Sequence, residues 1–502
     1  MNPACRPLCT MREALADPAI FAEILPGETW APWRAILIAS RGEPLTDDER
    51  VIYAALTSRD REPERPVDEL WGIVGRRGGK SRAFSVLGAY LAGLVDYSGV
   101  QAPGERIKLP IMASTTVQAA KIFSYMLGVF EHSTEMRDMV DGDPTADTIR
   151  LNAGVDIEVR PANFKTIRGE TLAGCLADEV AFWHLENSAN PDTLILDAVR
   201  PGLATTGGPL CVLSSPYARK GELYRTHQRD FGPNGDPAVL VLRAPSQTMN
   251  PSLDPAVVKR AYTRDPAAAS AEYGAEFRAD VEAFITLEAV QACMDVGVRE
   301  RPPVQGTRYV AFVDPAGGGA DSMTLGIAHR QGDLTILDVI REETVGTSPA
   351  LVVERFAETL KAYGVRKVTG DKYAGEWPRE QFAKHGVTYE ISDKSKTEIY
   401  AAFLPILNSQ SARLIEAPKL ETQIVSLERR TTRGTGRDII DHPQVKGAHD
   451  DVANAAAGAV VLVGTGRKPI VVTAEQAAAF GPVHHHTRFG VSRSRHRYGS
   501  TL

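Results

Sequence analysis

From about residue 66 to residue 245, short apolar runs alternate with helical patterns, and this alternation limits the possible folds more than any other feature of the sequence. The apolar runs have the length of strands rather than of helices. Predicted strands cover residues 70–74, 109–113, 172–177, 210–213 and 239–242, and helical patterns at 81–94 and 117–130 lie between them. Such alternation predicts a mostly parallel sheet with helices on both faces.

A second sheet is predicted after about residue 303. Three short strands at 309–313, 323–328 and 334–339 are joined by tight polar turns and are expected to pair antiparallel. A helix at 349–363, a strand at 367–370 and a last helix starting near Asp450 follow. With 502 residues, we expect an α/β protein of several domains. The expected parts are a sheet domain over 1–245 with a helical extension at 1–65, a helical linker over 246–303, a second sheet domain over 304–465 and a basic flexible tail over 466–502.

Composition excludes several classes of protein. Apolar residues make up 43% and charged residues 24% of the chain, which is typical of a folded soluble protein. The net charge of −6 excludes a uniformly basic nucleic-acid coat, so any DNA contact needs a local cationic patch. Five scattered cysteines indicate buried thiols in a reducing compartment. The first residues lack the apolar core of a secretory segment, and residues 452–466 are too few to cross a bilayer, so we expect neither secretion nor membrane insertion.

A glycine-rich loop joins the first predicted strand to the next helix, which is the context of a phosphate-binding loop. Small residues let backbone N–H groups turn inward, and the helix N-terminus adds positive potential. A lysine would neutralise the β- and γ-phosphates, and a hydroxyl would bind Mg²⁺. The usual motif has glycine where this chain has Val74. The alternative is a strand–helix turn without a ligand. The candidate residues are Gly75, Arg76, Arg77, Gly78, Gly79, Lys80 and Ser81.

Two later strands end in residues that suit the same site. An apolar run ends in Asp178 and Glu179, which in a P-loop ATPase bind Mg²⁺ and polarise the attacking water, respectively. Another ends in Ser214 and Ser215, small hydroxyls placed to sense a γ-phosphate. Each strand end is also compatible with an ordinary turn. Three arginines, at positions 76, 77 and 168, are candidates for stabilising transition-state charge or for positioning phosphates.

Three aspartates in the second half indicate a metal site. Asp314 and Asp371 each follow a predicted strand, and Asp451 opens the last helix one turn before Asn454. Three antiparallel strands, a helix, a strand and a carboxylate-headed helix follow the order of a ribonuclease-H-like nuclease domain. Converging carboxylates repel unless cations lie between them, and oxygen ligands select Mg²⁺ or Mn²⁺. Asp321 and Asp450 are further candidates, Asp321 also being suited to its glycine turn and Asp450 to capping the helix.

An arginine-rich segment precedes the last helix. Residues 428–437 carry four arginines around a Gly-Thr-Gly tip, which predicts a cationic hairpin beside the metal site. Such a hairpin suits the backbone of duplex DNA. A solvated charged loop is the alternative.

The order and co-occurrence of both motif sets, over about residues 30–465, resemble the large terminase subunit of tailed bacteriophages. The resemblance implies a P-loop ATPase joined by a linker to a ribonuclease-H-like nuclease, with ATP and Mg²⁺ as cofactors and Mn²⁺ as a second possible nuclease ion. It assigns the ATPase roles to Lys80, Ser81, Asp178 and Glu179, and the nuclease metal roles to Asp314, Asp371 and Asp451. Asn454 stands where related nuclease helices often have a further acid.

The resemblance further implies ATP-driven translocation of double-stranded DNA into a procapsid and cutting of concatemeric DNA in the host cytoplasm. The expected partners are DNA, a small terminase subunit and the portal protein, with a homo-oligomeric ring when docked. Two other functions share the same residues. One is a helicase–nuclease outside packaging, and the other is a scaffold with an inactive nuclease half that only binds portal and DNA.

Overall fold

A computed structural model describes residues 2, 4–162, 167–183, 191–278, 280–315, 322–343, 348–371, 376–431, 437–443 and 447–465. Among these, two seven-stranded sheets form the cores of the two halves of the chain. The fold is α/β, as predicted. Among the described helices, none combines the length and apolar content needed to cross a bilayer. All five cysteines are free thiols, and Cys175 and Cys211 are fully buried.

In the described residues of the first half of the chain there are nine strands and seven α-helices. The strands are β1 (Arg6–Pro7), β2 (Glu69–Val74), β3 (Val95–Asp96), β4 (Ile107–Ala113), β5 (Thr148–Arg150), β6 (Val155–Pro161), β7 (Cys175–Asp178), β8 (Leu210–Ser214) and β9 (Val239–Ala244). The helices are α1 (Met11–Ala16), α2 (Ala31–Ser40), α3 (Asp47–Thr57), α4 (Lys80–Gly93), α5 (Thr116–His132), α6 (Pro191–Leu203) and α7 (Gly221–Asp230). Short 3-10 helices cover Glu28–Trp30, Arg137–Met139 and Val180–Phe182.

The first sheet has the order β5-β6-β4-β7-β8-β2-β9, and only the β5–β6 pair is antiparallel. The predicted strands are present, although β7 starts three residues later than expected because the Leu172 N–H bonds to the Gly202 carbonyl instead. Strands β5 and β6 were not predicted. Since β8 lies between β2 and β7, the loops that follow these three parallel strands meet at one edge of the sheet.

The second half begins with short helices and continues into a second sheet. Its helices are α8 (Ser246–Met249), α9 (Pro255–Arg264), α10 (Pro266–Glu272), α11 (Leu287–Gln291), α12 (Pro349–Ala362), α13 (Glu376–Lys384), α14 (Lys396–Asn408), α15 (Pro418–Ser426) and α16 (Asp451–Thr465). Its strands are β10 (Val281–Ala283), β11 (Met294–Asp295), β12 (Tyr309–Asp314), β13 (Met323–Gln331), β14 (Leu334–Glu343), β15 (Lys367–Gly370), β16 (Thr388–Ile391), β17 (Ala412–Ile415), β18 (Glu428–Thr431) and β19 (Asp438–Asp441).

The second sheet has the order β11-β17-β14-β13-β12-β15-β16. Strands β12, β13 and β14 pair antiparallel, as the sequence predicted, and β15 runs parallel to β12. Helix α16 packs closely on this sheet. A Cβ atom on Gly458 would overlap the ring of Phe312, and one on Gly326 would lie 2.5 Å from the Ala455 carbonyl oxygen. Small residues thus let the last helix approach the strand that ends in Asp314.

The region predicted to be a helical linker also contains strands. Helices α8, α9 and α10 are present, but β10 joins β18 and β19 in a separate three-stranded antiparallel sheet, and β11 pairs with β17 in the second sheet. The segment after α10 is therefore built into the second half rather than forming a purely helical connection.

Candidate functional site

The predicted phosphate loop lies between β2 and α4. Val74, which replaces the usual glycine, is the buried last residue of β2. Glycine is needed one position later, because a Cβ atom on Gly75 would collide with the Ser246 hydroxyl. The backbone turns through positive φ angles at Arg77 (65°) and Gly79 (84°). The variant motif thus forms a tight turn directly before the N-terminus of α4.

Lys80 is the first residue of α4 and is buried. Its ammonium group donates to the Val74 carbonyl at 2.7 Å and to the Ser215 hydroxyl at 3.0 Å, and it lies 3.9 Å from a Glu179 carboxylate oxygen. Burial lowers the pKa of Lys80, and the charges of Glu179 and Asp178 oppose this effect. One lysine therefore connects the phosphate loop, the acidic pair and the serine pair.

The acidic pair lies at the same edge of the sheet. Asp178 ends β7, and burial, followed by the charge of Glu179, raises its pKa. Glu179 adopts a left-handed conformation (φ 50°), which is uncommon for a non-glycine residue. Its carboxylate accepts hydrogen bonds from the Ser215 N–H at 3.0 Å and the Ser214 hydroxyl at 3.3 Å. Ser214 and Ser215 thus orient Glu179, the residue that was predicted from the sequence to polarise the attacking water.

The linker helices hold the outer side of the phosphate loop, a feature that the sequence did not predict. The Ser246 hydroxyl donates to the Arg76 carbonyl at 2.7 Å, and the Asn250 side-chain amide donates to the Arg77 carbonyl at 2.8 Å. The Arg76 N–H donates to the Glu272 carbonyl at 2.5 Å, and the two side chains form an ion pair at 3.4 Å. Arg76 is therefore tied to the linker.

The remaining residues of the predicted nucleotide site lie as follows. Gly78 carries a carbonyl that accepts from the Trp33 indole N–H at 2.8 Å. Ser81 is the second residue of α4 and is partly buried. Arg77 and Arg168 are both exposed. The structure brings Lys80, Glu179, Ser214 and Ser215 into direct contact.

The three predicted metal ligands lie near one end of the second sheet, but among the described residues their carboxylate oxygens do not all come within 4.8 Å of one another. In the parallel pair β12–β15, Val313 lies opposite Gly370, so Asp314 and Asp371 follow the two strands side by side. The Asn454 side-chain amide on α16 donates to Asp314 Oδ2 at 2.6 Å, which brings the helix that begins with Asp451 to the same place. Asp321 lies outside the described residues.

The electrostatics of this carboxylate group are unusual. Burial first, and then the charges of Asp451, Asp450 and Asp371, raise the pKa of Asp314 to about 8, against the hydrogen bond from Asn454. The Asn454 Oδ1 atom is buried and has no hydrogen-bond partner among the described residues. Carboxylate and amide oxygens are hard donors, the type of ligand that suits Mg²⁺ or Mn²⁺.

Asp450, the further candidate, faces away from this group. Its carboxylate accepts from the Tyr400 hydroxyl at 2.8 Å and pairs with Lys396 at 2.9 Å and His442 at 3.0 Å. Burial raises the pKa of Asp450, but His442 and Lys396 outweigh that effect and lower it. The side-chain contacts of Asp450 are thus with these groups rather than with the helix N-terminus that it was expected to cap. Lys396 was not singled out from the sequence, since nothing in its polar surroundings distinguishes it.

The predicted arginine-rich hairpin is present as β18 and β19, and its tip at 432–436 lies outside the described residues. At its base, Arg430 pairs with Glu428 at 3.0 Å, and Arg429 lies 3.7 Å from Asp438. Glu428 is fully buried and also contacts the first half of the chain, accepting from the Tyr217 hydroxyl at 2.9 Å and pairing with Lys220 at 2.8 Å. The base of the hairpin therefore forms ion pairs within the second half of the chain and also contacts Tyr217 and Lys220, which follow Ser215 in the first half.

No protein-family model matches the sequence, and no curated protein matches it either. Among solved structures, the chain is similar to the large terminase of bacteriophage HK97, with 16% identity, coverage of 79% of this chain and 91% of that one, and a TM-score of 0.37. It is also similar to the large terminase ATPase domain of Thermus phage P74-26, with 19% identity, coverage of 42% and 89%, and a TM-score of 0.34.

A third similar structure is the large terminase nuclease of thermophilic phage G20c with bound magnesium, with 14% identity, coverage of 35% and 95%, and a TM-score of 0.31. At these TM-scores, none of the similarities identifies a function by itself. All three of these solved structures are phage large terminases or domains of them.

Proposed function

We propose that this chain is a viral DNA-packaging enzyme, in which ATP hydrolysis drives double-stranded DNA into a procapsid and a metal-dependent nuclease cuts concatemeric DNA. The observation that supports it best is the meeting of Lys80, Glu179 and Ser215 at one sheet edge, together with the carboxylates around Asp314 on the other sheet. Two centres with the chemistry of phosphate handling thus lie in one chain.

In the first centre, the chain supplies a complete set of groups for ATP hydrolysis. Backbone N–H groups of the loop at 75–81 would bind the phosphates, and Lys80 would neutralise them. Ser81 and Asp178 would hold Mg²⁺, whose chemistry is to offset the charge that develops on the phosphates. Glu179, oriented by the two serines, would accept the proton of the attacking water. Loss of the γ-phosphate would then change the contacts of the loop that contains Ser215, since Ser215 is hydrogen-bonded to Lys80.

In the second centre, Asp314, Asp371 and Asp451 would hold the divalent ions. Bound ions would supply a nucleophilic hydroxide at neutral pH and stabilise the leaving oxygen of the phosphodiester. Asn454 would keep Asp314 in position through its 2.6 Å hydrogen bond. Binding of a cation requires Asp314 to lose its proton, because its pKa is raised to about 8 by burial and neighbouring carboxylates.

The partners of this proposed function are duplex DNA, a small terminase subunit and the portal of the procapsid, with a ring of copies at the portal and action in the host cytoplasm. These proposals rest on the resemblance of the motif sets to large terminases. Duplex DNA has further support from the four arginines of the predicted hairpin, which are Arg429, Arg430, Arg433 and Arg437.

The function is tested by measuring ATP-dependent duplex translocation into procapsids alongside strand displacement on a forked substrate. We expect translocation without displacement, and Glu179→Gln is expected to bind ATP but lose turnover and translocation because the acid that orients water is removed. Glu380→Gln, an exposed glutamate of α13, is the matched control and should behave as wild type. Strand displacement without duplex translocation would favour a helicase–nuclease instead, and neither activity would favour the scaffold.

A further inference from the structure

A groove with a volume of about 990 Å³ lies on the second sheet, and none of the residues that line it belongs to either candidate centre. Its floor is formed by Phe312 of β12 and Thr369 of β15, which are neighbours in the parallel pair. Helix α16 forms one wall through Gly458 and Leu462. Helix α12 packs against the opposite face of this sheet. The groove therefore lies on the α16 face, beside that helix.

The floor of the groove leads to the proposed metal centre. Side chains alternate between the two faces along a strand, so residues two apart share a face. Phe312 lies two residues before Asp314, whose carboxylate accepts from the Asn454 amide of α16. Thr369 lies two residues before Asp371, which directly follows β15. Each floor residue thus shares a face of the sheet with a predicted ligand, and the groove begins where the ions would be held.

Two cationic side chains mark the two ends of the groove. Lys394 is at the end near the metal centre, because Ser392 donates its N–H to the Gly370 carbonyl at 2.8 Å and Lys394 follows two residues later. Arg308 lies at the other end, about 20 Å before Asp314 along β12. Arg308 is exposed and Lys394 is half-buried, and neither forms an ion pair among the described residues. Both are therefore available to an anionic ligand.

The groove as a whole carries an excess of positive charge. It is lined by four cationic side chains and two acidic ones, which are Arg308, Arg330, Lys367, Lys394, Glu390 and Asp393. Glu390 is engaged by Lys367 at 2.6 Å, so its charge is already offset. A cationic groove attracts a polyanion. The chain that follows α16 begins with Arg467 and Lys468, whose charge has the same sign as the groove, so this segment is the weaker candidate occupant.

We propose that this groove binds the phosphate backbone of the DNA strand that is cut, on one side of the scissile phosphate, with Arg308 and Lys394 as phosphate contacts. The proposal rests on the proposed nuclease function and adds where its substrate lies. The phosphates next to the scissile one are covalently joined to it, so they must follow a surface that adjoins the metal centre. At 3.4 Å of helix axis per base step, the distance of about 20 Å from Asp314 to Arg308 corresponds to about six base steps.

The test uses the full chain and measures two quantities. One is the affinity for a short fluorescein-labelled duplex, by anisotropy at several salt concentrations without divalent ions. The other is kcat and KM for Mn²⁺-dependent cutting of the same duplex. Arg308→Gln and Lys394→Gln should each weaken binding about eightfold at about 0.1 M salt and lower the slope of log affinity against log salt by about 1. KM should rise by a similar factor with kcat within about twofold of wild type, because a contact away from the scissile phosphate contributes binding only.

Two further variants complete the comparison. Glu390→Gln should change the affinity in the opposite direction, because it removes an acid from the groove and frees Lys367 for a phosphate. Lys361→Gln, an exposed lysine of α12 on the other side of the sheet, is the matched control and should bind and cut as wild type. The urea unfolding midpoint checks that each variant is folded. If Lys394→Gln does not fold, the exposed Arg308→Gln carries the prediction.

Unchanged affinity, salt slope and KM in the folded neutral variants overturn the proposal, whether DNA lies elsewhere or the segment after residue 465 occupies the groove. A fall in kcat with unchanged KM also overturns it, since the two cations would then act on the chemistry rather than on binding. If the wild type binds the duplex but does not cut it, the proposed nuclease function fails, and the anisotropy measurements alone decide whether the groove binds DNA.

Discussion

The two candidate centres differ in where their positive charge comes from. In the first, Lys80 lies 3.9 Å from Glu179 and bonds to Ser215, so a cation of the chain already faces the acids. In the second, burial and neighbouring carboxylates raise the pKa of Asp314 to about 8, while Lys396 is engaged by Asp450 and Asp441. The first centre thus has a cation of the chain beside Glu179, although burial and Glu179 raise the pKa of Asp178 there, whereas we expect the carboxylates of the second to need protons or divalent ions.

This difference has a physical consequence for how each centre becomes active. A loop and a lysine that are held by hydrogen bonds need little rearrangement when a nucleotide binds. Carboxylates that repel one another adopt a single arrangement only when cations lie between them. We therefore expect the nucleotide centre to be preformed and the nuclease centre to be completed by its ions.

The largest expected effects come from removing one charged group from each centre. Lys80→Ala should lower ATP turnover by about 10²- to 10³-fold, because it removes the cation that faces the developing phosphate charge. Asp371→Asn should lower Mn²⁺-dependent plasmid cutting by at least about 100-fold, because it removes a metal ligand. Each variant is assayed for both activities.

Each of these variants should leave the other activity near that of wild type. Asp143→Asn, an exposed aspartate of the first half, is the control for charge loss alone. Loss of both activities in a folded single variant would show that the two centres are not chemically separate.

The junction between the two halves should give the next largest effect. Glu428 is fully buried and holds Lys220 at 2.8 Å and Arg430 at 3.0 Å. Glu428→Gln leaves these cations without their carboxylate, which is expected to destabilise the protein by about 3 kcal/mol. The measurement is the shift of the urea unfolding midpoint, with exposed Glu358→Gln as control. A shift as small as that of the control would mean that the halves are held together elsewhere.

The smallest expected effect is on pH dependence. Because the pKa of Asp314 is raised to about 8 in the folded chain, the folded state binds more protons than the unfolded state between about pH 4 and pH 8. Without metal, the contribution of this group to stability therefore falls as pH rises through that range. For the same reason the apparent Mg²⁺ affinity should rise about tenfold per pH unit below pH 8, since one proton leaves for each ion bound.

Calorimetric Mg²⁺ titrations at pH 6, 7 and 8 measure this effect directly. In Asp314→Asn, which has no proton to lose at this position, both pH dependences should be reduced. If the Mg²⁺ affinity of the wild type is the same at all three pH values, Asp314 does not lose a proton when the ion binds, which contradicts a raised pKa for this carboxyl.

Much of the architecture could be predicted from local patterns. The strands that end in Val74, Ser214 and Asp314 are apolar runs bounded by polar turns, and periodicity finds such runs. The edge strand β5 and its neighbour β6 were missed, although the alternating apolar and charged residues of Val155–Pro161 carry a strand signal. Strand β10 is three residues long and exists through its pairing with β18, which no local pattern reveals.

The candidate sites likewise contain some residues that local sequence patterns reveal and others that only tertiary contacts reveal. Residues that belong to a sequence motif, such as Lys80 and Glu179, could be named, because the order of the motifs along the chain and their position at the ends of predicted strands indicate one common site. Residues that act through tertiary contact could not. Ser246 lies 170 positions from Arg76, whose carbonyl it contacts, and Lys396 lies 54 positions from Asp450. Only the packing of distant elements brings these groups together.

The central claim is that one chain contains a nucleotide centre at 75–81 and a separate metal centre at Asp314, Asp371 and Asp451. The measurement that tests it most directly is a crystal structure of the full chain with Mn²⁺ and a non-hydrolysable ATP analogue. We expect the triphosphate to lie on the loop against Lys80 and anomalous Mn²⁺ signal to lie among the three aspartates. A triphosphate bound away from Lys80, or aspartates too far apart to share ions, would contradict the claim.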